Sequence, residues 1–142
     1  MDGEMNLIEM ELREILMKED VMGSRQVIVL GEKGGAREFP IYIGYAEALV
    51  LDLELHDVVN KRPMTHDLIF NVLDSLGGEI QRIVVDDLRE GTFFGKLIVR
   101  TAAGTEELID SRPSDAVVLA TKRKLPIFVS EDVLEKISDD QE

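Results

Sequence analysis

The chain has no cysteine and no tryptophan, and only four prolines, two tyrosines and five phenylalanines in 142 residues. Without cysteine there is no disulfide scaffold, no thiol nucleophile and no thiolate-bound zinc or iron–sulfur cluster. The lack also suits a reducing compartment. Long apolar runs are missing as well. Charge-free stretches such as Phe39 to Tyr45 fall far short of the roughly 20 apolar residues a membrane span needs. The first residues, Met1-Asp2-Gly3-Glu4, are acidic where a signal peptide would be basic, and no apolar segment follows them. The expectation is a cytoplasmic protein with no membrane role. Positive charge is scarce too: 16 Lys+Arg stand against 29 Asp+Glu, a net charge of −13. That balance argues against broad electrostatic capture of nucleic acid, whose non-specific affinity comes from phosphate neutralisation.

What is present is an ordinary globular composition, 44% hydrophobic and 32% charged. The length fits a single domain over 1–142, able to bury roughly 68–70% of its unfolded surface. Its core is expected at about 6–138, with an acidic tail at 138–142. The acidity is uneven. Residues 1–20 and 131–142 contribute −5 each, while 21–130 carry 16 acids and 13 bases and net only −3. Acidic ends read as solvated segments, and the body can still hold a local basic patch.

Ile8, Met10 and Leu12 alternate with charged residues, the period-2 signature of a half-buried strand. Arg25–Leu30 and Glu38–Ile43 read as two more strands, paired across the glycine-rich turn 31–35. A helix is expected from Tyr45 to about Val59, where Pro63 biases Arg62 away from helical torsions. Thr65 is placed to cap a second helix with Leu68, Ile69, Val72, Leu73 and Leu76 as its apolar face, stopped by Gly77-Gly78. Strands follow at Ile80–Leu88, Thr92–Arg100 and Thr105–Ile109, then a helix around Ser114–Arg123. A short strand at Ile127–Val129 precedes a last helix, Glu131–Ile137, capped by Ser130.

The halves overlay without gaps at an offset of 68 residues, matching Val29 with Leu97, Ile41 with Ile109, Glu47 with Asp115 and Leu51 with Leu119. This predicts an α+β domain built from a duplicated β-β-β-α unit, about 7–78 and 79–138, with a largely antiparallel sheet covered by helices. An exposed sheet edge in each half would favour a homo-oligomer.

Two dipeptides, Arg62-Pro63 and Arg112-Pro113, each precede a hydroxyl and a carboxylate at a helix start: Thr65-His66-Asp67 and Ser114-Asp115. A helix N-terminus offers unpaired N–H groups and a positive dipole end, and an upstream arginine adds bidentate donors, so either can hold a phosphate. The same residue types are preferred caps, and simple capping stays open as the alternative. Glu47, Asp67, Asp115 and His66 are the one cluster that assembles into a reactive site. Glu47 and Asp115 could hold a divalent cation such as Mg²⁺ or Mn²⁺ and orient water, and His66 could transfer a proton. The run Lys122-Arg123-Lys124 reads either as a solvated helix end or as a phosphate-contacting patch. No phosphate loop, zinc-protease motif or nucleophile elbow is present.

Phe39-Pro40-Ile41-Tyr42-Ile43-Gly44 followed by Glu47-Ala48, together with Arg62–Leu68, Gly91-Thr92-Phe93-Phe94, Arg112–Ala116 and Pro126–Val129, resembles the bifunctional nuclease domain family over about residues 6–138. The resemblance implies a compact mixed α and β domain, of a kind described in plants as acting on both DNA and RNA. The family's recurrent polar positions fall on Glu47, Arg62, Thr65, His66, Asp67, Arg112, Ser114 and Asp115. Met64 replaces a more frequent leucine and Phe94 a more frequent tyrosine. The expectation is a phosphodiester hydrolase in which Arg62, Thr65, Arg112 and Ser114 bind substrate and His66, Asp67, Asp115 and Glu47 are catalytic. Two alternatives stand beside it: a non-enzymatic homo-oligomeric binding or assembly module for a small anion or protein partner, and a nucleic-acid binder without catalysis.

Overall fold

The computed structural model describes residues 6–20 and 23–140; the acidic start at 1–5 and the last two residues of the expected tail lie outside the described residues. One seven-stranded sheet carries the domain. In chain order the elements are β1 (Leu7–Asp20), β2 (Gly23–Glu32), β3 (Glu38–Ile43), α1 (Tyr45–Leu55), α2 (Thr65–Ser75) and β4 (Glu79–Arg89), then β5 (Thr92–Arg100), β6 (Glu106–Ser111), α3 (Pro113–Arg123), β7 (Ile127–Ser130) and α4 (Glu131–Asp140). The fold is α+β.

Two antiparallel meanders, β1-β2-β3 and β4-β5-β6, are joined by β7 in the order β3-β2-β1-β7-β4-β5-β6. β7 lies antiparallel to β1 and parallel to β4, so four residues close the sheet at its centre. The order β-β-β-α occurs twice. The 68-residue offset carries β3 onto β6 and α1 onto α3 end to end. β3 and β6 are the edges, and every residue of β6 from Glu106 to Asp110 is exposed.

α3 is the most deeply set helix: Ala116 through Ala120 are at most 1% exposed. Burial of its valines and leucine contributes on the order of 1.5–3 kcal/mol each. Ser130 caps α4 as expected, accepting from Val133 N–H at 3.3 Å. α4 runs on to Asp140, so most of the expected acidic tail is helical.

Three expectations change. α1 ends at Leu55 rather than near Val59, because Asp57 takes a left-handed conformation and Val58 N–H reaches back to Leu53 O at 3.0 Å. α2 is not capped by Thr65, which is its first helical residue; Met64 is the N-cap, and its N–H donates to Asp67 Oδ2 at 2.9 Å. Nor does α2 bury the face expected from its leucines. It buries His66 and Phe70, with Ile69 and Leu73 packed partly against the core. Leu68, Val72 and Leu76 face outward. The Arg123 guanidinium lying 4.0 Å over the Phe70 ring helps to dock this alternative face.

Candidate functional site

Glu47, Asp67 and Asp115 each occupy the third position of their helices α1, α2 and α3. A carboxylate there is favoured by the positive end of the helix dipole. Because α1 and α3 pack side by side and α2 rests on α3, the helix starts converge, and side chains link them.

The linkage runs through four residues. Arg112, the N-cap of α3, donates from Nε to Asp115 Oδ2 at 2.9 Å and from Nη2 to Glu47 Oε1 at 2.8 Å. His66, second in α2, shares a 3.0 Å hydrogen bond between Nε2 and Asp115 Oδ1. An ionised carboxylate only accepts, so Nε2 carries a proton, and in the neutral imidazole Nδ1 is then the acceptor nitrogen. Nδ1 is buried and has no partner. Glu47 and His66 are buried at 9% and 7% exposure, whereas Arg112 reaches into solvent.

Two glycines make room for this network. Gly95 on β5 faces the start of α3, where an added Cβ would stand 3.1 Å from Ser111 O and 3.4 Å from Pro113 Cα. The Arg112-Pro113 turn can therefore sit against the strand, and Pro113 begins the helix without an N–H to satisfy. Gly44, the N-cap of α1, lies under the Glu47 carboxylate; a Cβ there would come within 2.9 Å of Oε2.

Electrostatics follow from these contacts. Burial works against ionisation of Asp115, but the hydrogen bonds from Arg112 and then His66 outweigh it and hold its carboxyl below the usual range. Asp67 is likewise held low: its desolvation is outweighed by the Met64 N–H and by Lys122. Hydrogen bonding to Asp115, ahead of Glu47, pushes Arg112 up.

The structure thus joins Glu47, His66, Arg112 and Asp115. Asp67 turns away from that network, to Met64 N–H and to Lys122 Nζ at 3.0 Å. Arg62 and Thr65 are exposed, and Arg62 lines a separate cavity of about 430 Å³ shared with Asp67 and Lys122. Ser114 is buried and lines, with Arg112, a cavity of about 280 Å³ walled by Tyr42, Gly44, Thr92 and Phe93.

Glu47 and Asp115 each spend an oxygen on Arg112, whose guanidinium stands between them. Among the described residues no group of three or more His, Asp or Glu side chains is placed to hold a metal ion. This donor set, as arranged, does not fit a divalent cation.

Sequence reasoning placed Lys122 in a basic run but did not find its partners. Its side chain is enclosed rather than a solvated helix end, held between Asp67 and Glu54. The signal was its spacing, four residues after Val118 on the buried face of α3. The other two residues of that run divide: Arg123 pairs with Asp74 at 2.8 Å, and Lys124 ends the helix in a left-handed conformation.

Comparison with known proteins places these residues in context. The family described as bifunctional nuclease domain matches residues 28–142, which include the whole network. An uncharacterized protein of Mycobacterium tuberculosis is 36% identical over 124 residues, covering 87% of this chain and 73% of its own. Bifunctional nuclease 1 of Arabidopsis thaliana is 24% identical over 106 residues, covering 73% of this chain and 33% of its own. Bifunctional nuclease of Oryza minuta is 21% identical over 118 residues, covering 82% and 36%. The chain spans about a third of the length of these plant relatives.

Proposed function

Because the chain belongs to the bifunctional nuclease domain family, we propose that the Glu47–Arg112–Asp115–His66 network is the centre of a phosphodiester hydrolase acting on DNA or RNA. The observation that carries this reading is the network itself. It ties motifs far apart in the chain at three helix starts, by contacts of 2.8–3.0 Å. Hydrolysis needs donors for the non-bridging oxygens and a base for the attacking water. Arg112 spends two of its five N–H donors on Asp115 and Glu47, leaving three to face a phosphate. Asp115 fixes the His66 tautomer so that Nδ1 is the base. It would take a proton from water as the new P–O bond forms and the ester P–O bond breaks, the leaving oxygen taking its proton from solvent. Nδ1 is closed off in the present packing, so the step requires a path to open beside α2.

Cleavage of labelled single-stranded DNA, duplex DNA and RNA tests this, each assayed with EDTA and with Mn²⁺. We expect His66→Gln to lose at least about 100-fold in rate, the scale of general-base catalysis, with its circular dichroism spectrum unchanged. No cleavage of any substrate in either condition overturns the activity. A His66→Gln protein as active as the parent overturns the site.

A second reading, self-association, is favoured by the uncovered α2 stripe of Leu68, Val72 and Leu76 and by the open β6 edge with Leu108 and Ile109 exposed. Sedimentation showing a monomer at 100 µM would remove it. The chain has no helix long and apolar enough to cross a membrane among the described residues.

A further inference from the structure

We infer that α2 is a movable cover over His66, hinged at Gly77-Gly78 and latched to α3 by ion pairs, and that its opening admits water to Nδ1. The inference rests on the hydrolase reading for its purpose, but the opening itself is measured without any substrate.

The first observation is the sealed nitrogen. His66 Nδ1 is buried and has no partner, so the closed form keeps water from the atom the reaction would use. A buried acceptor without a partner is costly, so wetting it on opening offsets part of what the docking contacts lose.

The second is how little apolar surface holds α2 down. It packs chiefly against α3. Phe70 is its one buried apolar residue, Ile69 and Leu73 are partly covered, and Leu68, Val72 and Leu76 face outward. α3, by contrast, is sealed from Ala116 to Ala120. What remains is largely charge: His66 with Asp115 and Asp67 with Lys122, each at 3.0 Å, and Asp74 with Arg123 at 2.8 Å. The flanking segments leave α2 room to move. Residues 56–63 are all exposed and belong to no helix or strand, while Gly77, in a left-handed conformation, and Gly78 lie between α2 and β4. Hinges are drawn from loop and element-terminal positions of this kind.

Third, the latches release cleanly. When α2 lifts, Asp115 keeps Arg112, and Lys122 keeps Glu54 at 3.4 Å. Arg123 and Asp74 are each about half exposed, at 44% and 52%, and turn to water. No charge is left buried and alone, which is what makes a buried pair expensive to break. The main apolar cost is uncovering Phe70, over which the Arg123 guanidinium lies. Reclosing restores the bond to Asp115 that orients the imidazole.

The test is acylation of the full chain by diethyl pyrocarbonate, which reacts at an unprotonated imidazole nitrogen, read by mass spectrometry at pH 8, above the ordinary imidazole range. The chain has two histidines, and exposed His56 is the internal reference. We expect His66 to react at least about tenfold slower than His56 in 20 mM NaCl, and the ratio of His66 to His56 to rise about twofold or more in 500 mM, where ion pairs are screened. Asp67→Asn and Asp74→Asn should each raise the His66 rate about two- to fivefold at low salt, the scale of an exposed ion pair, with His56 unchanged. Hydrogen exchange gives a second readout. An 11-residue helix is marginal on its own, so undocked α2 loses amide protection. Its amides should exchange at least about 100-fold sooner than those of Val117–Ala120. A His66 rate that neither salt nor either variant changes, or α2 amides as slow as those of α3, overturns the inference. An opening α2 in a protein that cleaves nothing leaves the cover standing and removes the hydrolase; cleavage with a His66 rate that salt and both variants leave unchanged does the reverse.

Discussion

Replacing Asp115 by asparagine isolates the linkage at the centre of the site. The carboxylate accepts from His66 Nε2 at 3.0 Å and from Arg112 Nε at 2.9 Å. An asparagine oxygen can accept only one of these, and its NH₂ then opposes the other donor. If the NH₂ faces His66, the imidazole must move its proton to Nδ1, which is buried and partnerless. If it faces Arg112, two donors meet, although the largely solvated guanidinium can turn to water. Hydrogen bonds to charged groups are worth roughly 1.5–3 kcal/mol, and solvent access discounts the Arg112 side, so a loss of about 2 kcal/mol at pH 7 is expected. The pH dependence has a definite sign. Asp115 is held below its ordinary range of 3.8 in the folded protein, so its contribution is present above the unfolded pKa and is lost as pH falls through the folded one. The stability gap between parent and Asp115→Asn should therefore be full at pH 6–7 and narrow below about pH 4. Urea unfolding followed by circular dichroism across that range reads it. A gap under about 0.5 kcal/mol at pH 7, within the usual scatter of surface substitutions, or one that does not shrink in acid, would refute the reasoning.

The two glycines at the site separate packing from positioning. Gly95→Ala places a methyl against backbone atoms that cannot turn aside, 3.1 Å from Ser111 O, and should cost about 1–3 kcal/mol in urea unfolding. Gly44→Ala meets only the end of the Glu47 side chain, at a backbone φ of −76° that alanine accepts. Its stability should stay within about 0.5 kcal/mol, while cleavage falls severalfold as Arg112 loses its Glu47 anchor; loss of both together would show that Gly44 matters only for folding. With a net charge of −13, association with nucleic acid should quicken as salt rises from 20 to 150 mM, opposite to a basic binder, and stopped-flow fluorescence checks it.

The edge strand β3 was legible because its burial alternates every two residues, and it runs Glu38–Ile43 as that alternation says. α3 was likewise placed from its own segment, since Pro113 marks its start locally. What the residues did not show depends on contacts across the chain. Nothing near Ile127 says that β7 lies between β1 and β4. Leucine spacing gave only part of the buried face of α2: Ile69 and Leu73 pack against the core, but Leu68, Val72 and Leu76 face outward, and the fully buried positions are His66, which pairs with Asp115 49 positions away, and Phe70, covered by Arg123. Of the four residues grouped from the sequence, Glu47, Asp115 and His66 are linked and Asp67 turns to Met64 and Lys122, while the guanidinium between the carboxylates was not foreseen. That arginine turns an expected cation site into a donor-presenting one.

The same arginine resolves the conflict between overall charge and a polyanionic substrate. Net charge governs how fast a strand approaches, at distances comparable with the Debye length of roughly 10 Å at 0.1 M salt. Within the cavity, affinity depends on groups within hydrogen-bond reach. There two carboxylates are already engaged by Arg112, and both sit at helix starts, where the dipoles of α1 and α3 each contribute on the order of half a positive charge. Neither carboxylate is left without a partner, and Arg112, with donors to spare, lines the cavity. On the proposed reading, a protein so acidic holds a phosphate at this one point by short-range donors rather than by its overall field.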